Sequence, residues 1–203
     1  MRSVGLGLLA VMLGALPAYA QDAPKVEGTL GYQAINARTG KAANGENAWY
    51  SIGFNIDGSW SLNPTWSILG ELGWGRSPVS GDCTVCSQVI PLHEQTRAAF
   101  NETNMGGGVR YNKRGMGKVT PFAQIVLGIS RDSFDTRTAL LFAELVGEAY
   151  TTNSFMAQPG GGVVYNLNDN VGVVGQVDYR RVFADDEGFN AFRFVAGMRF
   201  FGK

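Results

Sequence analysis

The chain is short of the features that support most catalytic and nucleic-acid readings. It has one histidine, His93, and two cysteines, Cys83 and Cys86, among 203 residues. So few ligands argue against a His/Cys metal centre. Basic and acidic residues balance at 17 each, so no single-sign field points to a nucleic-acid partner. Beyond the first twenty residues no apolar run is long enough for a helical membrane span. If that part of the chain crosses a bilayer, a closed barrel of strands is what remains to satisfy its backbone. Helix-favouring runs are scarce and glycine is abundant, at 28 residues, which turns attention to strands.

The start of the chain reads as an export signal. Arg2 supplies a positive start, Val4 to Leu16 a short apolar stretch, and Ala18-Tyr19-Ala20 an A-x-A cleavage site. This predicts a signal peptide over residues 1–20 and one mature domain over 21–203. No cysteine follows the cleavage site, so a lipoprotein anchor is not indicated.

Period-two alternation bounded by turn residues predicts eight strands, near 26–37, 48–62, 66–76, 102–112, 119–133, 154–167, 171–183 and 191–201. Each is long enough for a tilted crossing of about 9–11 residues. The connections alternate in length. Asn63-Pro64-Thr65, Lys113 to Lys118 and Asn168-Asp169-Asn170 are short and turn-rich, whereas Arg38 to Asn47, Ser77 to Asn101, Asp135 to Asn153 and Ala184 to Asn190 are longer. Short inner turns and long outer loops are the pattern of a bacterial outer-membrane barrel.

Sorting each strand by parity separates an apolar from a polar face. In the second strand Tyr50, Ile52, Phe54, Ile56, Trp60 and Leu62 alternate with Ser51, Gly53, Asn55, Asp57, Ser59 and Ser61. The fifth and sixth are blurred, because Phe122, Val126 and Val164 fall on the polar side. Alternation alone leaves a soluble lipocalin open, with its apolar face inward. The aromatics favour the membrane orientation. Trp60, Trp66, Tyr111, Tyr165 and Phe200 fall near one end of the apolar face, and Tyr50, Trp74, Phe155, Tyr179, Phe183 and Phe192 near the other. Two such belts are expected where a barrel meets the two membrane interfaces. The polar face then lines the interior, with Glu27, Asp57, Glu71 and Asp178 set against Arg110, Arg180, Arg193 and Arg199. Mixed signs in a narrow interior predict pairing rather than a single-sign pore. Glu27 and Arg199 are expected to be neighbours on the adjoining first and last strands.

The stretches MGGGVRYN, KVTPFAQIVLGIS, PGGGVVYNLNDNVGVVGQVDYRRV and FRFVAGMRFF resemble the eight-stranded outer-membrane β-barrel proteins of the OmpA/OmpX-like and opacity type. That resemblance implies an all-β, eight-stranded antiparallel up-and-down transmembrane β-barrel in the cell outer membrane. It also implies insertion by the barrel-assembly machinery, which reads a terminal strand ending in an aromatic residue. Here Phe200 and Phe201 are followed by Gly202 and Lys203.

In an exported loop, Cys83 and Cys86 (CTVC) read as a small disulfide. His93 lies in the same loop beside Glu94, where a solvated role outweighs a catalytic one. Arg76 and Arg181 fall on the outward face near the outer end, placed to meet lipopolysaccharide phosphates or to snorkel to water. Ala139 to Tyr150 is apolar for a loop and reads as a short helix on the barrel mouth, a strand extension or a partner-binding patch. The expectation is a monomeric, non-catalytic barrel without cofactor or metal. Its partners would be outer-membrane lipid and an extracellular ligand at the loops. A small low-conductance porin and an outer-membrane lipid A-modifying enzyme are the alternatives.

Overall fold

A computed structural model of the chain describes residues 24–38, 48–50, 52–81, 96–137, 151–184 and 188–202. The expected signal segment, Cys83, Cys86, His93 and the run Ala139 to Tyr150 lie outside the described residues. The wall consists of β1 (Val26–Arg38), β2 in two segments (Ala48–Tyr50 and Ile52–Ser61), β3 (Trp66–Gly81), β4 (Thr96–Asn112), β5 (Val119–Arg137), β6 (Thr151–Asn166), β7 (Val171–Phe183) and β8 (Phe189–Gly202). Each strand pairs antiparallel with its sequence neighbours, and β1 pairs with β8 from Val26↔Gly202 to Arg38↔Asn190. That last seam makes a closed eight-stranded barrel without a free sheet edge.

The register sets the shape. Paired residues can be followed once around the wall from Gly28 through Gly58, Gly70, Gly107, Leu127, Ala157, Arg181 and Asn190. The path returns to β1 at Arg38, ten residues beyond its start. A stagger of that size requires the strands to tilt against the barrel axis.

Alternation in the sequence becomes inside and outside in the wall. Asp57, Glu71, Asp178 and Arg193 are at most 2 % exposed, whereas the adjoining Ile56, Leu72, Val177 and Phe194 are 42–51 % exposed. The apolar side therefore faces out, which rules out the lipocalin arrangement. Phe122, Val126 and Val164 point inward and are buried, filling lumen space beside Gly162, Gly106 and Gly172, which carry no side chains of their own.

Local chemistry closes the short turns. Asn63 Oδ1 accepts from the backbone N–H groups of Thr65 (2.9 Å) and Trp66 (2.8 Å), and Asn168 Oδ1 does the same for Asn170 and Val171 (both 2.9 Å). The β4–β5 turn uses Gly115 and Gly117 at φ 88° and 66°, where a side chain would be strained.

Two expectations change. β3, β4, β5 and β6 run further at the long-connection end than alternation indicated, reaching Gly81, Thr96, Arg137 and Thr151. Backbone pairing there continues from Ser77↔Phe100 to Gly81↔Thr96 although apolar–polar alternation has stopped. The β1–β2 register also slips by one residue. Tyr32 pairs with Phe54, but Ile35 pairs with Tyr50, where unbroken alternation would have given Asn36. The side chain of Tyr50 lies outside the described residues, and so does its expected place in the outer belt.

Candidate functional site

The lumen is occupied by two connected charge clusters. The cluster nearer the long connections centres on Arg193 of β8. Its Nη1 and Nη2 donate to Glu71 Oε1 and Oε2 at 2.6 and 2.7 Å, across the lumen on β3. Its Nε donates to Asp178 Oδ2 at 2.9 Å on the adjoining β7. Glu71 Oε1 also accepts from Asn104 Nδ2 and Gln158 Nε2, both at 3.2 Å. Above this, Arg180 donates to Gln158 Oε1 at 2.7 Å and pairs with Glu102. Planar guanidinium forks meet carboxylates here in the geometry that makes a buried ion pair tolerable.

The second cluster lies toward the short turns. Arg110 Nη2 donates to Asp57 Oδ1 at 3.1 Å and its Nε to Gln124 Oε1 at 2.9 Å. Arg199 Nε donates to Thr29 Oγ1 at 3.0 Å, and its Nη1 lies 3.6 Å from Glu27 Oε2. Arg110 and Arg199 both stack on the Phe122 ring, their Cζ atoms 5.1 and 4.5 Å from its centre. Arg114 reaches from the β4–β5 turn to pair with Glu27, while its Nε donates to Pro64 O at 2.9 Å. It thus ties two short turns to β1 across the mouth.

Glu27, Asp57, Glu71, Asp178, Arg110, Arg180, Arg193 and Arg199 all lie in this lumen. Sequence reasoning missed Glu102 and Arg114. Glu102 shares the parity of Arg110 but sits at the edge of the strand as alternation defined it. Arg114 lies in a turn, and nothing local marks the direction in which it reaches.

On the outside, Trp66–Tyr111 pack edge to face with ring centres 5.3 Å apart, and Lys25 Nζ lies 5.1 Å over Trp60. Tyr165 and Phe200 are exposed at the same end. The other rim carries the cross-strand pairs Phe54–Trp74, Phe155–Phe183 and Tyr179–Phe192, with ring centres 5.6–5.8 Å apart. Arg76 and Arg181 also point outward at that rim.

A closed wall that is apolar outside and charged inside defines an integral membrane β-barrel. The chain belongs to the outer membrane protein beta-barrel domain family, which matches residues 6–200, and such barrels lie in the outer membrane. Among solved structures, the fold is similar to that of Ail, the attachment invasion locus protein of Yersinia pestis, in complex with the heparin analogue sucrose octasulfate. That match has 16 % identity and TM-score 0.54, covering 88 % of this chain and 99 % of the other. Neisserial surface protein A is similar at 14 % identity and TM-score 0.58, covering 86 % and 94 %. The outer membrane protein OprG of Pseudomonas aeruginosa is similar at 11 % identity and TM-score 0.58, covering 89 % and 97 %. No curated protein sequence matches the chain.

Proposed function

We propose that this barrel is a monomeric, non-catalytic surface protein, exported by a cleaved signal, inserted by the barrel-assembly machinery, and binding an extracellular ligand through its long connections. One observation carries the reading: the lumen is spanned by ion pairs from Glu102–Arg180 at one end to Glu27–Arg114 at the other. A wall sealed in this way does its work at its ends. Ail, whose fold is similar, was solved with a heparin analogue, which makes a sulfated polysaccharide the first probe. The test is attachment to heparin-coated surfaces by a bacterial host carrying the barrel. Attachment should exceed that of the empty host and fall when residues 82–95 and 138–150 are replaced by short Gly/Ser links. Equal attachment with and without those segments would overturn the reading.

A low-conductance pore is the second reading. It is favoured by buried atoms that lack a protein partner, among them Asp57 Oδ2, Arg110 Nη1, Asp178 Oδ1 and Arg199 Nη2. Such atoms call for water, and a hydrated lumen is what a pore of this size would need.

A further inference from the structure

Among the residues whose side chains are described, the outward face of the wall carries three arginines at the long-connection rim, each directly opposite an asparagine on the next strand. The pairs are Arg76↔Asn101 on β3–β4, Arg131↔Asn153 on β5–β6 and Arg181↔Asn190 on β7–β8. We propose that these three Arg–Asn pairs bind the phosphate groups of outer-leaflet lipopolysaccharide. The proposal rests on the outer-membrane placement given above, with the long connections on the cell exterior.

The pairs share one level. Arg76, Arg131 and Arg181 are each the next outward residue after a large apolar one, namely Trp74, Ile129 and Tyr179. They stand where hydrocarbon gives way to headgroups. Neighbouring strands lie about 4.8 Å apart at right angles to their axes, and their tilt widens this at the rim, so successive pairs recur roughly every 13 Å.

Their charge is not spent within the described wall. Among the residues whose side chains are described, no Asp or Glu points outward from the wall strands. None of the three arginines forms an ion pair with a described residue. An acid in place of each asparagine would have closed an internal salt bridge. A carboxamide instead adds an N–H donor and leaves the full positive charge.

Arg181 shows the geometry. Its Nη1 donates to Asn190 Oδ1 at 3.0 Å and to Gly188 O at 3.3 Å, and its Cζ lies 5.7 Å from the Phe183 ring centre. The Tyr179 hydroxyl donates to the same Asn190 oxygen at 2.7 Å. Among the described residues only Nη1 is hydrogen-bonded, which leaves Nε and Nη2 as donors for an outside acceptor. A planar guanidinium fork matches a phosphate in two-point contact. The side chains lie on the lipid side of the wall, so the phosphate that reaches them is one borne by a lipid.

The test uses the full barrel folded into phosphatidylcholine nanodiscs, with retained lipid A quantified by mass spectrometry. The probes are bis-phosphorylated lipid A and its dephosphorylated form, which carries the same acyl chains. The wild type should retain the phosphorylated form about tenfold better, the size of difference that charged hydrogen bonds produce. The variant R76Q/R131Q/R181Q should bring the ratio close to one. N101D/N153D/N190D should lower it as well, by supplying each arginine with an internal partner. Heat-modifiable gel migration verifies that each variant is folded, and Arg131→Gln alone serves if the triple variant is not. Equal retention of both lipids by the wild type would overturn the proposal, as would an unchanged ratio in a folded glutamine variant. A wild type whose band does not shift on heating would overturn the barrel itself.

Discussion

At the scale of single residues, Arg193 holds the most connected position in the lumen. It joins Glu71 and Asp178, both fully enclosed, and removing it strands two carboxylates away from water. Breaking a buried ion pair from one side costs about 3–5 kcal/mol. Arg193→Met should therefore lower the urea midpoint of the barrel in lipid vesicles by an amount in that range. The variant E71Q/D178N/R193Q should recover part of the loss, because no charge is left unpaired. A loss below about 1 kcal/mol for the single variant would mean that lumen water serves the carboxylates as well as the arginine does. Gly160 gives a second prediction. A Cβ there would lie 1.8 Å from Asp178 Oδ1 and 2.8 Å from Asp178 Cα, so Gly160→Ala must displace backbone as well as the carboxylate that Arg193 holds. Overpacking of this kind costs about 1–3 kcal/mol. Gly58 faces outward, and a Cβ there would meet nothing within 4 Å. Gly58→Ala should stay within about 0.5 kcal/mol of wild type in the same titration. Equal effects at the two sites would refute this account of where the wall is tight.

At the scale of the strand, legibility followed the membrane. β2 from Ile52 to Ser61 could be read residue by residue because one side must be greasy and the other polar throughout the bilayer. Beyond the rim both faces meet water, so alternation has no physical cause. Ser77 to Gly81 and Thr96 to Phe100 looked like loop for that reason, yet they pair along the full hairpin. Parity also could not reveal the Arg–Asn pairs, since each arginine and its asparagine are brought together only by the register between strands. The slip between Tyr32↔Phe54 and Ile35↔Tyr50 shows the same limit, because one residue of offset changes every assignment beyond it. The hairpin extension can be checked by amide hydrogen exchange in nanodiscs. Ladder amides in Val79 to Gly81 and Thr96 to Ala98 should exchange far more slowly than those of the connection between them. Exchange as fast as in an unstructured peptide would return these segments to loop.

At the scale of the whole molecule, the question is whether the lumen conducts. An eight-stranded barrel has room for little more than its own side chains, and here those side chains are tied across the axis as well as along the wall. Arg193 links β8 to β3 and Arg180 links β7 to β4, so two arginines brace the half of the lumen nearer the long connections. At the other end Arg114 and Arg199 converge on Glu27. An ion passing through would have to part at least one such pair in each half while shedding most of its own hydration. The wild-type barrel in a planar bilayer should therefore show no reproducible conductance step. R180A/R193A removes both upper braces, replaces two long side chains with methyl groups, and leaves Glu71, Glu102 and Asp178 facing the vacated space. That variant should conduct in resolved steps and prefer cations, because the charge that remains in the upper half is negative. Resolved steps from the wild type at the same frequency would move the chain to the pore reading. A silent double variant that still folds would place the barrier in the Glu27–Arg114–Arg199 cluster, where Arg114→Ala would then be the substitution that opens it.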